Sequence, residues 1–568
     1  MINTMTTRGG STLRNPIQRA RLPILMTTVV IISIMTGCST YTKDAQESDA
    51  QKSAKRGKIT VTIYDRGNIP SGQGTVENNL MTKWMNQAGP VDVTFIPLPR
   101  TQSDQKLNTL FAGGGAPDLI LEYAPHVKNP LIDQGQLRPI DDMIESYSTT
   151  YKSLLTKYPA LRKAGTGTDG KLYQFGRINE TIPQRGVFIR KDWLEKLHLN
   201  IPQTTEEMYQ VAKAFTEQDP DGNGEKDTYG LALAYNAVAT LNEMFGVTYP
   251  GFVVQDNQLI HGWENIQAVT AFKKRLYTEG LVDKDFYTDK NGSKAKQDFL
   301  NGKIGIYMEQ FNVPITFYND FYVGLKKNVP DAELAIMPYP ETPVGRFNPI
   351  FVNPIQMTGV VNAETKDPEA VMKYVDFAAS ETFMKTMYYG FEGVHSKTPP
   401  GQCPQVTDLN KWKTEFNYAS GDFGMLASPT LAGKCYFGVE KMDTKDPLQQ
   451  EVKKMFEANS SFIDFNLQMA GPTHSEQMPQ LPKDLQQILT DTMKQVDVGD
   501  GDIWMKAILT PNYSPEQAKK DAIAAWEKAG GIRVDAWYKA FYEKDKDKII
   551  MTKDIYDIFK QQRALQNK

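Results

Sequence analysis

The chain has 568 residues, too many for one hydrophobic core, so at least two domains are expected. Hydrophobic residues make up 40% and charged residues 23%, the balance of an ordinary soluble globular protein. A formal net charge of -3 leaves no basic footprint, which excludes nucleic acid from the expected partners.

Arg8, Arg14, Arg19 and Arg21 precede an apolar run at 22–37, and no acidic residue comes before Asp44. A basic stretch followed by a short apolar one is the pattern of a secretory signal peptide. The run is 16 residues, short of the roughly 20 that span a bilayer. It ends Met35-Thr36-Gly37-Cys38, which resembles the bacterial lipobox, although methionine stands where leucine is commoner. The expectation is a leader at 1–37, lipidation (palmitate) of Cys38, and a protein held by that lipid on the outer face of the cell membrane. The alternative is an uncleaved anchor with an incidental cysteine; either way the rest of the chain is expected outside the cytoplasm. Residues 38–57 are polar, without a large aliphatic side chain, and are read as a disordered tether. No later segment is apolar enough to span a membrane.

Ile59, Val61 and Ile63 alternate with polar neighbours, a strand pattern, and a glycine-rich turn follows. Leu80, Met81 and Trp84 then sit at helical spacing. VDVTFIPL reads as a second strand ended by Pro97 and Pro99. Ser103 can cap a helix with Leu107, Leu110 and Phe111 on one face, stopped by Gly113 to Gly115. PDLILEY is a third strand, and strand–helix alternation predicts parallel pairing in an α/β layer. A second such unit starts near Gly186: GVFIRKDWL is a strand running into a helix. Thr204 and Glu207 have capping-box spacing before Met208, Val211, Ala212 and Phe215. Ile266, Val269, Phe272 and Leu276 mark a further amphipathic helix, and KIGIYM a further strand. Two α/β lobes with a ligand crevice at the carboxyl ends of their strands is the natural reading.

Four stretches carry a family resemblance: TLFAGGGAPDLI (109–120), GVFIRKDWLEKLHLNIPQTTEEMYQVAKAF (186–215), DPDGNGEKDTYGL (219–231), and RLYTEGLVD with FLNGKIGIYME (275–309). In order and spacing they resemble family 1 extracellular solute-binding proteins of ABC importers, the large lipoprotein type of Gram-positive bacteria. PIQMTGVVNAETKDPEAVMKYVDFAAS looks like that family's crossing back into the second lobe. The resemblance implies a type II periplasmic-binding-protein-like fold, two hinged lobes around a ligand cleft. The expected boundaries are lobe 1 at 58–180 plus about 305–350, and lobe 2 at 181–304 plus about 351–568, which includes a C-terminal helical region. It also implies capture of a carbohydrate, an oligosaccharide, for ABC permease subunits, by a monomer without catalytic residues or an organic cofactor.

Asp219, Asp221, Asn223, Glu225 and Asp227 alternate around Gly224. That spacing matches positions 1, 3, 5, 7 and 9 of an EF-hand loop, with Glu225 giving its carbonyl to a structural Ca2+. Position 12 is Gly230, so the bidentate glutamate is absent, and Thr228 stands where relatives place an acid. The competing reading is a surface turn without metal.

Sugars stack on aromatic faces and bind planar polar groups, so such residues at strand ends and crossings are the candidates: Arg66, Tyr123, Arg177, Trp263, Glu309, Glu392 and Trp412. For each the alternative is core packing or a solvated charge; Trp84 and Trp193 are assigned to the core. Cys403 and Cys435 are an even pair that an exported location permits to bridge, if their Cα atoms lie close enough. Two other functions stay open. One is a sensory or structural surface lipoprotein with the same lobes. The other is an exported glycoside-processing enzyme, for which the five scattered histidines give no metal spacing and the chain has no Gly-x-Ser-x-Gly elbow.

Overall fold

The computed structural model describes residues 56–566 apart from Asn68, Asn257, Asn312, 430–432, Thr444, 470–480 and 498–500. The leader, Cys38 and the tether up to residue 55 lie outside the described residues. The expected tether reached 57, but Arg56 belongs to the folded body. Its guanidinium donates to Asp92 at 2.8 Å and to the carbonyls of Asn86, Gly89 and Val91 at 2.9 Å each. Four acceptors on one loop outweigh the freedom of a polar linker.

The strands that frame the molecule are, in chain order, β1 (Lys58–Asp65), β2 (Asp92–Pro99), β3 (Leu119–Leu121), β4 (Gln174–Ile178), β5 (Arg185–Arg190), β6 (Tyr229–Leu231), β7 (Phe252–Gln255), β8 (Gln258–His261), β9 (Ile304–Gln310), β10 (Leu334–Ile336) and β11 (Ile355–Val361). One sheet has the order β2-β1-β3-β11-β4 and a second the order β10-β5-β9-β6. As the alternation of elements predicts, β1 pairs parallel with both β2 and β3. Thr62 is buried in this sheet because its hydroxyl donates to the Leu121 carbonyl and accepts from the Leu121 N–H. β2 ends at Pro99 as expected, but both prolines still lie within it, paired with Ile63 and Asp65. β2 is an edge strand, so the N–H groups its prolines lack need no partner.

Each helix signal has a local cause. Asn79 accepts from the N–H groups of Met81 and Thr82, and Thr82 answers the N–H of Asn79, so a capping box starts Leu80–Ala88. Thr204 accepts from Glu207 as expected, but Glu207 reaches the N–H of Gln203 instead of closing the box. Ser103 opens its helix without a side-chain cap. Trp193 is fully buried, and Trp84 packs half-buried against Phe377, Phe383 and Phe391.

The sheets correct the expected lobe boundaries. β9 pairs with β5 and β6 in the second sheet, although 305–350 was assigned to lobe 1. β11 pairs with β3 and β4 in the first sheet, although 351 onward was assigned to lobe 2. Apolar strand patterns are alike in both sheets, and only pairing partners distinguish them. The helices Pro368–Ala378 and Glu381–Tyr389 then add to the core of lobe 1.

Two segments cross between the lobes side by side. Gln184 donates to the Ile350 carbonyl, Val352 to Ile182, and Asn179 to Pro354, at 2.7–2.9 Å. The last helix, Thr552–Gln566, returns to lobe 1, where Ile555, Tyr556 and Phe559 join its core. Gln562 is 1% exposed, accepts from the Thr181 N–H and donates to the Asn179 carbonyl, so the chain end braces the first crossing. The hairpin β7–β8 and the helices Lys483–Val496, Asp502–Leu509, Pro515–Lys528 and Ile532–Asp545 share a separate apolar cluster. Cys403 and Cys435 form a disulfide, with Cα atoms 5.3 Å apart. Among the described residues no helix is long and apolar enough to cross a membrane.

Candidate ligand-binding cleft

The carboxyl ends of β1, β2 and β3 lie together because the three strands run parallel, and this is where the crossings leave lobe 1. Tyr64, near the end of β1, stacks on Tyr123, just past β3, with centroids 5.8 Å apart. Arg66 and Arg100, which follow β1 and β2, lie 5.6 Å and 4.8 Å from the Tyr64 ring. Arg177, on β4, lies 6.0 Å from the Tyr123 ring. It donates to Gln356 Oε1 at 3.0 Å and to the Gly424 carbonyl at 2.8 Å. Arg66 is held by Asp422 in a two-pronged pair at 2.6 and 2.9 Å, and that carboxylate holds its proton affinity above the usual arginine value.

A polar network fixes the floor. Glu122, fully buried, accepts from the Tyr64 hydroxyl and the Ala124 N–H. Lys128, also fully buried, donates to the carbonyls of Glu122 at 2.7 Å and Met357 at 2.6 Å. Burial pushes its ammonium down to about 7, partly offset by the Glu122 charge. Burial likewise raises the Tyr123 hydroxyl against the pull of Arg177, so the phenol stays neutral across the physiological range.

The corresponding edge of lobe 2 is built from the carboxyl ends of β6 and β9, which run parallel. Glu309 accepts from the Asn236 side chain and, at 3.2 Å, from the Tyr307 hydroxyl; burial raises its carboxyl above the ordinary range. Tyr235 is 53% exposed, with φ 50° and ψ -110°. A non-glycine residue held there at the start of a helix is strained, and such strain collects at binding sites. Nearer the hinge, Arg185 pairs with Glu243, which is 1% exposed and also accepts from the Tyr339 hydroxyl at 2.9 Å.

Of the seven candidates, Arg66, Tyr123 and Arg177 come together on lobe 1, and Glu309 stands on the edge of lobe 2. Trp263 instead stacks on His261 at 3.7 Å and joins the apolar cluster of the C-terminal helices. Glu392 is exposed and accepts from Thr398 in its own loop. Trp412 packs against the lobe 1 core. Sequence reasoning passed over Arg100, which follows a strand just as Arg66 does, and Tyr64, whose polar-face position in β1 looked like solvent. Asp422 and Tyr235 carried no local signal.

The acidic loop at 219–227 is folded on itself. Asp219 has φ 47°, and Gly222 and Gly224 take the positive φ the tight turn needs. Asp219 accepts from the N–H groups of Gly222 and Gly224, and Asn223 donates to Asp221 and Asp227. The neighbouring Asp221 carboxyl holds Asp219 below its ordinary value, while burial, with Asp219 beside it, raises Asp221. Asp227 is paired with Lys303 at 2.8 Å. Converging carboxylates short of countercharge suit a hard cation, but among the described residues no group of three or more His, Cys, Asp or Glu is gathered at ligand distance. Thr228 is turned inward onto the Phe215 carbonyl, and Gly230 packs against the Ala212 backbone. Neither supplies an oxygen to the loop.

Residues 68–385 match the family of bacterial extracellular solute-binding proteins. The chain belongs to that family. It is 26% identical over 561 residues to the polygalacturonan/rhamnogalacturonan-binding protein YtcQ of Bacillus subtilis, covering 93% of this chain and 99% of that one. An extracellular solute-binding protein from Bifidobacterium longum subsp. infantis shares the fold, with a TM-score of 0.62 at 16% identity, over 86% of this chain and 98% of that one. The Streptococcus pneumoniae ABC-transporter substrate-binding protein FusA, as an EF-hand mutant with fructo-nystose, aligns at a TM-score of 0.56 and 18% identity, over 86% and 99%. The two-lobed solute-binding fold expected from the sequence is thus the fold observed.

Proposed function

We propose that this protein captures an oligosaccharide between its lobes, outside the cytoplasmic membrane, and presents it to the permease of an ABC importer. The observation that carries the reading is the stacked Tyr64–Tyr123 pair with its guanidiniums at the carboxyl edge of the first sheet, while Tyr235 and Glu309 stand at the carboxyl edge of the second. Aromatic faces take the apolar side of pyranose rings, while guanidinium and carboxylate groups take ring hydroxyls. The names of its relatives, one polygalacturonan-binding and one bound to fructo-nystose, support a saccharide. A ligand that touches both walls favours the closed state by its differential affinity, and no bond needs to be made or broken. In this reading the protein is not an enzyme. It works as a monomer, and lipid on Cys38 keeps it beside its transporter.

Calcium on the acidic loop belongs to the same reading. Asp219, Asp221, Asn223 and Asp227 would hold it with the Glu225 carbonyl, Lys303 giving way, and water would stand in for the missing glutamate. Its part is to stiffen the connection into β6, whose other end carries Tyr235.

A thermal-shift screen against oligosaccharides, monosaccharides and peptides tests this, because a ligand that binds only the native state raises the melting temperature. A shift with an oligosaccharide that is recovered intact is the expected result. No shift with any saccharide sinks the reading, and a consumed saccharide would mean an enzyme.

A further inference from the structure

Two of the cleft arginines are held from far along the chain. Asp422 takes Arg66, and the Gly424 carbonyl takes Arg177. Both partners lie on an excursion, 404–434, whose two ends are joined by the disulfide between Cys403 and Cys435. Its stretch 422–428 runs along the lobe 1 wall. Phe423 meets Phe95 of β2 edge-on at 5.4 Å, and the Met425 carbonyl accepts from Thr358 of β11 at 2.8 Å. The Ser428 hydroxyl accepts from the Ile178 N–H of β4 at 3.1 Å.

The bridge stands where the chain leaves lobe 1. Tyr436, the next residue, belongs to the lobe 1 core, whereas Met442 packs in a cluster with Phe188 and Phe311 of lobe 2. Between them the Gly438 N–H donates to Glu180, on the first crossing, at 2.9 Å. Residues 437–441 are therefore a further passage between the lobes, and Cys435 separates it from the excursion. On the other side of the bridge, Cys403 sits in a short hairpin that pairs Ser396–Lys397 with Gln405–Val406. That hairpin is rooted on the fully buried His395, whose carbonyl accepts from Thr407 at 2.9 Å.

We propose that the Cys403–Cys435 disulfide is a positioning element of the ligand wall, keeping Asp422 and Gly424 against Arg66 and Arg177 while lobe 2 moves. This rests on the reading that the cleft is the ligand site. The two cysteines touch no ligand and act through the excursion. Closing a loop of this length removes freedom from its opened state, so local opening becomes rarer. A wall that is open part of the time binds only in proportion to the fraction that is formed. The bridge also passes any pull from the 437–441 passage to the hairpin and its buried root, and so keeps it off the stretch that holds the arginines.

The test is amide hydrogen exchange on the full-length protein in detergent, without ligand, comparing the native protein with Cys403→Ser/Cys435→Ser. Exchange at 422–428 and at the Ile178 amide should quicken by about tenfold or more, with β5 and β9 of lobe 2 unchanged. Native protein reduced by a dithiol should show the same pattern, and reoxidation should reverse it, which guards against a serine variant that folds poorly. Calorimetry with a short oligogalacturonate and with fructo-nystose then reads the wall itself. Asp422→Asn should lose about tenfold in affinity with the disulfide intact and less in the serine background, because a partner already loosened has less to lose. Unchanged exchange at 422–428, a rise spread evenly over both lobes, or equal Asp422→Asn losses in the two backgrounds overturns the proposal. If neither saccharide binds and the wider screen gives no hit, the oligosaccharide reading fails, and the exchange pattern decides this proposal by itself.

Discussion

The two walls of the cleft are built in different ways. The lobe 1 wall is fixed from beneath: Lys128 and Glu122 tie the ends of β3 and β11, and Asp422 and Gly424 hold two of its arginines. The lobe 2 wall presents fewer groups, an exposed Tyr235 in a strained conformation and a Glu309 held by Asn236, Tyr307 and the Gln310 N–H. Preorganised groups lower the ordering cost of binding, so the first wall should supply most of the affinity. On the proposed reading, the second would close over what the first has seated. The difference teaches that a hinged binding protein need not divide recognition evenly between its lobes.

The largest expected effect tests the hinge that joins the walls. Arg185→Met leaves Glu243 buried with only neutral partners, and removing one member of a buried pair costs about 3–5 kcal/mol. Urea unfolding of the variant should show that loss, with part of it recovered in Arg185→Met/Glu243→Gln. An unchanged midpoint would mean that the pair contributes nothing.

Next comes the floor of lobe 1. Lys128 is lowered in the fold to about 7, against an ordinary lysine value when unfolded. The native state therefore binds fewer protons than the unfolded state between those values, and stability rises with pH across that window. From pH 7 to pH 9 the protein should gain about 2 kcal/mol that Lys128→Met does not gain. Parallel pH profiles of melting temperature for the two proteins would remove this assignment.

A smaller effect compares the walls directly. Tyr123→Ala should weaken saccharide binding by about tenfold or more, mostly through faster release. Tyr235→Ala should cost less affinity, and relief of its φ of 50° in Tyr235→Gly should make the free protein no less stable. If Tyr235→Ala proves the more damaging, the asymmetry is reversed.

The smallest effect is that of calcium. Adding Ca2+ should raise the melting temperature by about 1–3 °C, and Asp221→Asn should abolish the rise. A shift that persists in the variant places the ion elsewhere.

Much of this was legible in the chain. β1, β3, β5 and β9, the helix caps at Thr204 and Gly113, and the α/β alternation follow from periodicity and turn chemistry, which act over a few residues. Arg66, Tyr123 and Arg177 could be found because strand ends carry ligands in open α/β sheets, a rule that depends on local order alone. Trp263 misled, since an aromatic beside polar residues reads as exposed until helices from 515–545 cover it.

Sequence by itself thus determined the elements, the family and half of the first wall. Only the tertiary structure decided that β9 belongs with β5 and β11 with β3, because strands of like pattern choose partners through long-range packing. It also decided that Asp422 answers Arg66 across 356 residues, that Gln562 braces the crossing, and that among the described residues Arg100 and Arg177 have no carboxylate partner. A charge shows its sign in the sequence, but its partner is fixed by the fold.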